Sequence, residues 1–224
     1  MKHILIFILF TQVFCVNLVA QKSEEASVRT KNEFRFTLGG GYAYRLGILL
    51  KTGDDHIDEL SQKLRHGFNL DASGQMYFTP HIGIGLNAIY VRQHEYDEGK
   101  TIPTMTGYAT MDYFKETTEF FYIGPSFAIK TRANKINCYG EVGFGLLIFH
   151  DWGKVLETSG DIIRPTTGLH WSFSPEYRFS SHFGMGLKLS VTAGFVRVPF
   201  SETENKKQNA SNLNIGWFIS FQTK

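Results

Sequence analysis

The sequence predicts an all-β fold, an eight-stranded antiparallel barrel that crosses a membrane, and three observations carry that prediction. Apolar and polar residues alternate with period 2 in eight separate stretches. The connections between these stretches are alternately short and long. Helical periodicity is scarce after Gln21, whereas 15% of the residues are aromatic and 22 are Gly, a composition that suits strands and tight turns.

The chain opens with a basic pair, Lys2 and His3, followed by a mostly apolar run over 4–19. Ala20 is a small residue just before polar Gln21, Lys22 and Ser23. This layout predicts a signal peptide over 1–20, cleaved after Ala20. A membrane anchor is the rival, but the run is short, broken by Thr11, Gln12 and Asn17, and followed by no stop-transfer charge cluster. Cys15 does not make a lipoprotein site, because bulky Phe14 precedes it. Residues 21–33 are polar and are expected to form a periplasmic lead-in, with the barrel over 34–224. Removal of 1–20 leaves Cys138 alone, so no intramolecular disulfide is available. It also removes Lys2, which takes the formal charge from +2 to about +1. That balance offers no general attraction for nucleic acid.

The predicted strands span 34–45, 64–78, 82–91, 120–130, 136–149, 169–178, 183–192 and 213–222. In the second, Leu64, His66, Phe68, Leu70, Ala72, Gly74, Met76 and Phe78 oppose Arg65, Gly67, Asn69, Asp71, Ser73, Gln75 and Tyr77. Successive strand side chains point to opposite faces, so one face is greasy and the other polar. The seventh repeats the split, with Phe183, Met185, Leu187, Leu189 and Val191 against Gly184, Gly186, Lys188, Ser190 and Thr192. Each tilted strand is long enough to cross a bilayer.

Short links fall at 79–81, 131–134 and 179–182. Long ones fall at 46–62, 94–117, 150–165 and 197–211. Short periplasmic turns and long external loops are the plan of a transmembrane barrel, and an even strand number puts both ends of the barrel on the periplasmic side. The Gly39-Gly40-Gly41 run lies inside a strand, which makes it a kink or close-packing site rather than a phosphate loop.

A soluble ligand-binding barrel has the same alternation, with its apolar face turned inward. Three features favour the membrane version. Phe34, Phe78, Tyr177, Phe183 and Phe221 cluster near one set of strand ends. Tyr42, Tyr44, Tyr90, Phe121, Trp171 and Trp217 lie toward the other, as two aromatic girdles require. The polar face mixes Gly, Ser and Asn with both charge signs, which suits a narrow lumen. The last strand, with Asn214, Gly216, Ile219 and Phe221, resembles the C-terminal insertion signal of bacterial outer-membrane barrels. It departs from the usual ending because Gln222, Thr223 and Lys224 follow Phe221.

On Leu18-Val19-Ala20-Gln21, Phe78-Thr79-Pro80-His81-Ile82-Gly83-Ile84-Gly85, Tyr122-Ile123-Gly124-Pro125-Ser126-Phe127 and the terminal 214–221 strand, the chain resembles the small outer-membrane β-barrel proteins of Bacteroidetes-type bacteria, the porin-family or PorT-like group. More broadly it is similar to eight-stranded barrels of the OmpX and OmpA transmembrane-domain type. The resemblance implies a Gram-negative outer membrane. It also implies contact with outer-membrane lipid and lipopolysaccharide, and with the barrel-assembly machinery during insertion. It does not establish transport.

The polar face should line the lumen with Arg35, Arg45, Arg65, Asn69, Asp71, Asn87, Lys130, Glu141, Glu176, Arg178, Lys188 and Asn214. Confined charges of opposite sign should pair, because an unpaired buried charge is costly. Glu141 and Lys188 are the expected pair. Eight strands enclose a space that side chains can fill, so a plugged or very narrow lumen is expected, with a narrow ion or small-solute channel as the alternative. A lipid A-modifying hydrolase is the enzymatic alternative. His170 and Ser172 share a face as in the His-x-Ser pair of small barrel lipid A deacylases, with Glu176 as an orienting carboxylate. The register turns that pair inward, away from acyl chains, so no catalytic residue is expected. The remaining His residues show no metal-ligand spacing, and no cofactor is expected. The acidic and aromatic loop over 94–117 is the expected contact for a surface partner. Asp54, Asp55, Asp58 and Glu59 form a second acidic patch without the spacing of a calcium loop.

Overall fold

A computed structural model describes residues 32–47, 62–97, 100–104, 107–111, 114–133, 135–155, 158–199 and 205–223. The signal peptide, most of the lead-in and the first-loop acids at 54–59 lie outside the described residues. Eight strands form the wall: β1 (Glu33–Arg45), β2 (His66–Tyr77), β3 (Ile82–Asp97), β6 (Phe114–Ala133), β7 (Ile136–Val155), β8 (Thr158–Arg178), β9 (Phe183–Pro199) and β11 (Asn212–Gln222). Three short strands stand outside it: β4 (Lys100–Thr104) pairs with β5 (Gly107–Met111), and β10 (Asn205–Asn209) extends the edge of β9.

Every wall strand pairs antiparallel with its neighbours, and β8 pairs β9 while β11 pairs β1, so the sheet closes on itself. Closure satisfies the backbone donors and acceptors that lipid cannot. At the closing seam Gly41 stands opposite Gly216. A Cβ on Gly216 would sit 2.8 Å from the Gly40 carbonyl carbon and 3.1 Å from the Gly41 Cα, so this seam needs glycine.

The exposed face decides between the membrane and soluble versions. Trp217 is 65% exposed, Ile219 63%, Leu38 62% and Phe144 58%, all on the outer face. Inside, Arg35 is 1% exposed, Asn87 0%, Glu176 1% and Lys188 5%. An apolar surface of this extent is unfavourable in water and favourable in hydrocarbon. On the outer face Phe34 and Phe221 lie at the periplasmic ends of β1 and β11 and Tyr42 and Tyr44 near the external end of β1, while Trp217, opposite Gly40, sits within the belt.

Several strands outrun their predicted ends. β3 continues to Asp97, β6 begins at Phe114, and β7 and β8 stay paired up to Val155 opposite Thr158. The expected long loops over 94–117 and 150–165 are therefore largely hairpins. Beyond the bilayer the outer face meets water and the inner face is polar, so the apolar alternation that marks a strand fades while the main-chain hydrogen bonds continue. β2 starts later than expected, at His66, after a turn over 62–65.

Candidate functional site

The alternating pattern gathers the polar side chains into the lumen, where they form successive layers. At the periplasmic end Arg35 of β1 reaches Glu176 of β8. Its Nε and Nη2 donate to Glu176 Oε2 at 3.0 and 2.7 Å. Arg35 Nη1 donates to Gln75 Oε1 at 2.6 Å, and the guanidinium lies 3.7 Å from the Tyr139 ring centre. Gln222 Nε2 donates to the other Glu176 oxygen at 2.8 Å. Lys130 pairs with Glu33 at 2.8 Å and lies 4.1 Å from the Tyr77 ring centre. The forked guanidinium and the flanking tyrosines close this end with matched charge and packed rings.

The middle layer corrects the expected ion pair. Lys188 of β9 donates to Asp71 of β2 at 2.6 Å across the lumen. Glu141 of β7 instead accepts from Gln75 Nε2 at 2.6 Å, Asn87 Nδ2 at 2.9 Å and Ser126 Oγ at 3.2 Å. Its partners stand on β2, β3 and β6, whereas Lys188 of β9, two strands from β7 on the opposite side, reaches Asp71 of β2. Asn69 and Asn214 are buried at the same face, and Asn214 Nδ2 donates to Ser190 at 3.4 Å. The His170–Ser172–Glu176 set is not assembled as a catalytic relay. His170 meets Thr192 at 3.4 Å, Ser172 Oγ has no partner among the described residues, and Glu176 is engaged by Arg35 and Gln222. His170 and Ser172 are each 1% exposed inside the lumen, as the register required.

Above the polar layer comes an apolar one. Ile89, Val91, Phe120, Tyr122, Leu147 and Phe149 pack together with Ala43, Val196 and Ala210. Arg45 caps it, its guanidinium 5.4 Å from the Phe120 ring centre and 5.7 Å from that of Phe149. Glu116 and Asp151 lie near Arg45 beyond the bilayer. Burial, reinforced by Asp151 and opposed by Arg45, pushes the Glu116 carboxyl up to about 7. Burial likewise raises Asp151, against the pull of Arg45. No motif announces this apolar layer or its acidic cap, since their members come from different strands.

Two predicted lumen cations sit elsewhere. Arg65 lies in the turn before β2 at the outer rim, where Nη1 donates to the Tyr44 hydroxyl at 3.2 Å. Arg178 ends β8 and donates to the Ser181 carbonyl at 2.5 Å in the periplasmic turn. Both stand where the chain leaves the pleat, so inside–outside parity no longer holds. On the terminal strand Asn214 and Gly216 face the lumen, while Ile219 and Phe221 face lipid.

An outward row at the external rim was missed by the sequence reading. Tyr90 donates to Glu119 at 2.7 Å, His150 Nδ1 lies 3.3 Å from the same carboxylate, and His150 Nε2 lies 2.9 Å from Asp161. Arg92 is 3.7 Å from Glu119. The row crosses four strands, and only the cross-strand register reveals it. Of the expected partner loop, His94, Glu95 and Tyr96 are described, and His94 contacts Thr117 at 2.8 Å. Glu98, Asp112 and Tyr113 lie outside the described residues. Among the described residues no group of three His, Cys, Asp or Glu side chains could hold a metal ion.

No protein-family model and no curated protein matches the chain. Solved structures do. A major outer membrane protein from Thermus thermophilus is similar over 87% of this chain and 100% of that one, at 10% identity and a TM-score of 0.51. Ail, the attachment invasion locus protein of Yersinia pestis, is similar over 87% of this chain and 100% of its own, at 10% identity and a TM-score of 0.46. Neisserial surface protein A matches 85% of this chain and 96% of its own, at 12% identity and a TM-score of 0.47. At 10% identity the likeness to the Thermus protein shows the fold and not the activity. The closed eight-stranded wall and its apolar outer belt make this chain an outer-membrane barrel.

Proposed function

We propose that this outer-membrane barrel is a non-enzymatic structural or surface-interaction protein whose lumen is plugged. The observation that supports the reading best is the succession of filled layers. Arg35–Glu176 and Asp71–Lys188 bridge the interior with side chains no more than 5% exposed, and an apolar layer lies above them. An ion entering this path would have to displace paired charges and then cross a mainly apolar layer. The external hairpins leave the outer surface as the working part, with the 94–117 region as the contact for a partner. Kinship with the Bacteroidetes-type small barrels belongs to the same proposal, as do contacts with lipopolysaccharide and the assembly machinery.

The narrow-channel reading requires that these layers open, and the hydrolase reading requires that His170 and Ser172 meet an acyl chain. The test is conductance of the folded protein in a planar bilayer, alongside lipid A deacylation by the Ser172→Ala variant and its parent. Silence, with no deacylation by either protein, is the expected result. Reproducible current steps, or a deacylation that Ser172→Ala abolishes, would replace the proposal by the matching alternative.

A further inference from the structure

Glu141 of β7 stands in the polar middle of the lumen and is 3% exposed. The other deeply buried acids of the lumen each meet a cation: Arg35 lies 2.7 Å from Glu176 and Lys188 lies 2.6 Å from Asp71. Lys130 is engaged by Glu33 at 2.8 Å, and Arg45 stands against the apolar layer above. Among the described residues Glu141 is held by neutral groups alone. Asn87 Nδ2 donates to both Ser126 Oγ and Glu141 Oε2, Ser126 Oγ donates to the same Oε2, and Gln75 Nε2 donates to Ser73 Oγ and Glu141 Oε1. Every partner arrives as a donor and both oxygens accept, which is the pattern of a carboxylate. A buried carboxylate without positive charge is costly, and an ionisable group at membrane depth marks a functional site.

Oxygens that no protein donor uses surround it. Asn87 Oδ1, Ser172 Oγ and the Tyr122 hydroxyl are buried and have no hydrogen-bond partner among the described residues. Asn87 Oδ1 belongs to the amide whose Nδ2 is 2.9 Å from Glu141. Ser172 stands opposite Glu141 in the β7–β8 register, with both side chains turned inward. Cross-strand pairs of this kind keep their Cβ atoms about 4.5–5.5 Å apart. The Tyr122 hydroxyl reaches over Gly143, the next inward residue after Glu141 on β7. A Cβ on Gly143 would lie 3.1 Å from that hydroxyl oxygen, and one on Gly124 would lie 2.7 Å from it, so the two glycines leave the room it occupies. One carboxylate among neutral oxygens, with no sulfur, is the donor set of a hard cation of single charge. A divalent ion is held tightly where several carboxylates converge, and no such group exists among the described residues.

We propose that Glu141, together with Asn87 Oδ1, Ser172 Oγ and the Tyr122 hydroxyl, binds one alkali cation, sodium or potassium, inside the barrel. The ion neutralises Glu141 as Lys188 neutralises Asp71, and it ties β3, β6, β7 and β8 together at mid-height. The inference rests on the filled lumen of the reading above, to which it adds a bound ion as part of the plug.

The test uses the full mature chain folded in micelles. Urea unfolding is followed at fixed pH and ionic strength while sodium or potassium chloride replaces tetramethylammonium chloride, whose cation is too large for the site. For one ion bound to the folded barrel, each tenfold rise in ion above its dissociation constant multiplies the folding constant about tenfold. That gain is expected with sodium or potassium. Glu141→Gln should abolish it, because the amide brings no charge. Tyr122→Phe keeps the ring, removes one oxygen and should shift the dependence to roughly tenfold higher ion concentration. Equal stability in the alkali and tetramethylammonium salts would overturn the proposal, as would an alkali dependence that Glu141→Gln leaves unchanged. Should Glu141→Gln fail to fold, the proposal stands or falls on the shift in Tyr122→Phe. A silent bilayer with no alkali dependence would reject the ion alone, whereas a conducting barrel with that dependence would reject the plug alone.

Discussion

Replacing Lys188 by Met should destabilise the barrel strongly, and replacing Asp71 by Asn in the same chain should restore most of the loss. Lys188 Nζ and Asp71 Oδ1 are 2.6 Å apart, with side chains 5% and 4% exposed. At that separation and an effective dielectric of about 20, the gross attraction is about 6 kcal/mol. Desolvation offsets much of it. Removing only the cation leaves a buried carboxylate unpaired, at a cost of about 3–5 kcal/mol. With a urea slope of about 2 kcal/mol per molar, the unfolding midpoint in micelles should fall by roughly 2 M. The double variant removes both charges and should recover more than half of that loss. A parallel cycle on Glu141 and Lys188 should give coupling below about 0.5 kcal/mol, since the two groups share no partner. Coupling of Lys188 to Glu141 as large as its coupling to Asp71 would refute the layered assignment.

Arg35→Met should cost about 3–5 kcal/mol in the same urea assay, because Glu176 is then left with only neutral donors; a change below about 1 kcal/mol would contradict the periplasmic plug. Gly216→Val should strain the closing seam by about 1–3 kcal/mol and lower the temperature at which the heat-modifiable band disappears, whereas the lipid-facing Ile219→Val should change it far less. Glu116 gives a pH signature. An acid whose native value stands at about 7 against an ordinary 4.5 binds its proton more tightly when folded. Its stabilising effect is complete below about pH 4.5 and is lost as pH rises through about 7. Glu116→Gln should therefore exceed the parent in stability at pH 8 by at most about 3 kcal/mol and lose that advantage at pH 4, as urea midpoints at the two values would show.

The wall was legible in the sequence because each strand carries its own period-2 pattern. Leu187, Lys188 and Leu189 reveal their faces without reference to another strand. Parity likewise put Arg35, Arg45, Asp71, Glu141, Glu176 and Lys188 inside. Pairing was not legible, because which side chains meet across a lumen depends on strand stagger, and stagger leaves no mark on a single strand. Lys188 therefore found Asp71 rather than Glu141. Arg65 and Arg178 escaped the parity rule at strand ends. The external hairpins were hidden for a different reason: residues such as Glu95, Glu116 and Asp151 meet water or a polar mouth, so hydropathy does not oscillate there although the hydrogen bonds persist.

The central claim is that side chains fill this barrel from its Arg35–Glu176 layer to its Phe120–Phe149 layer. Single-channel recording from the folded, heat-modifiable protein in a planar bilayer tests it most directly. A silent bilayer with verified insertion is the predicted result. Reproducible steps whose size changes in the Lys188→Met variant would contradict it.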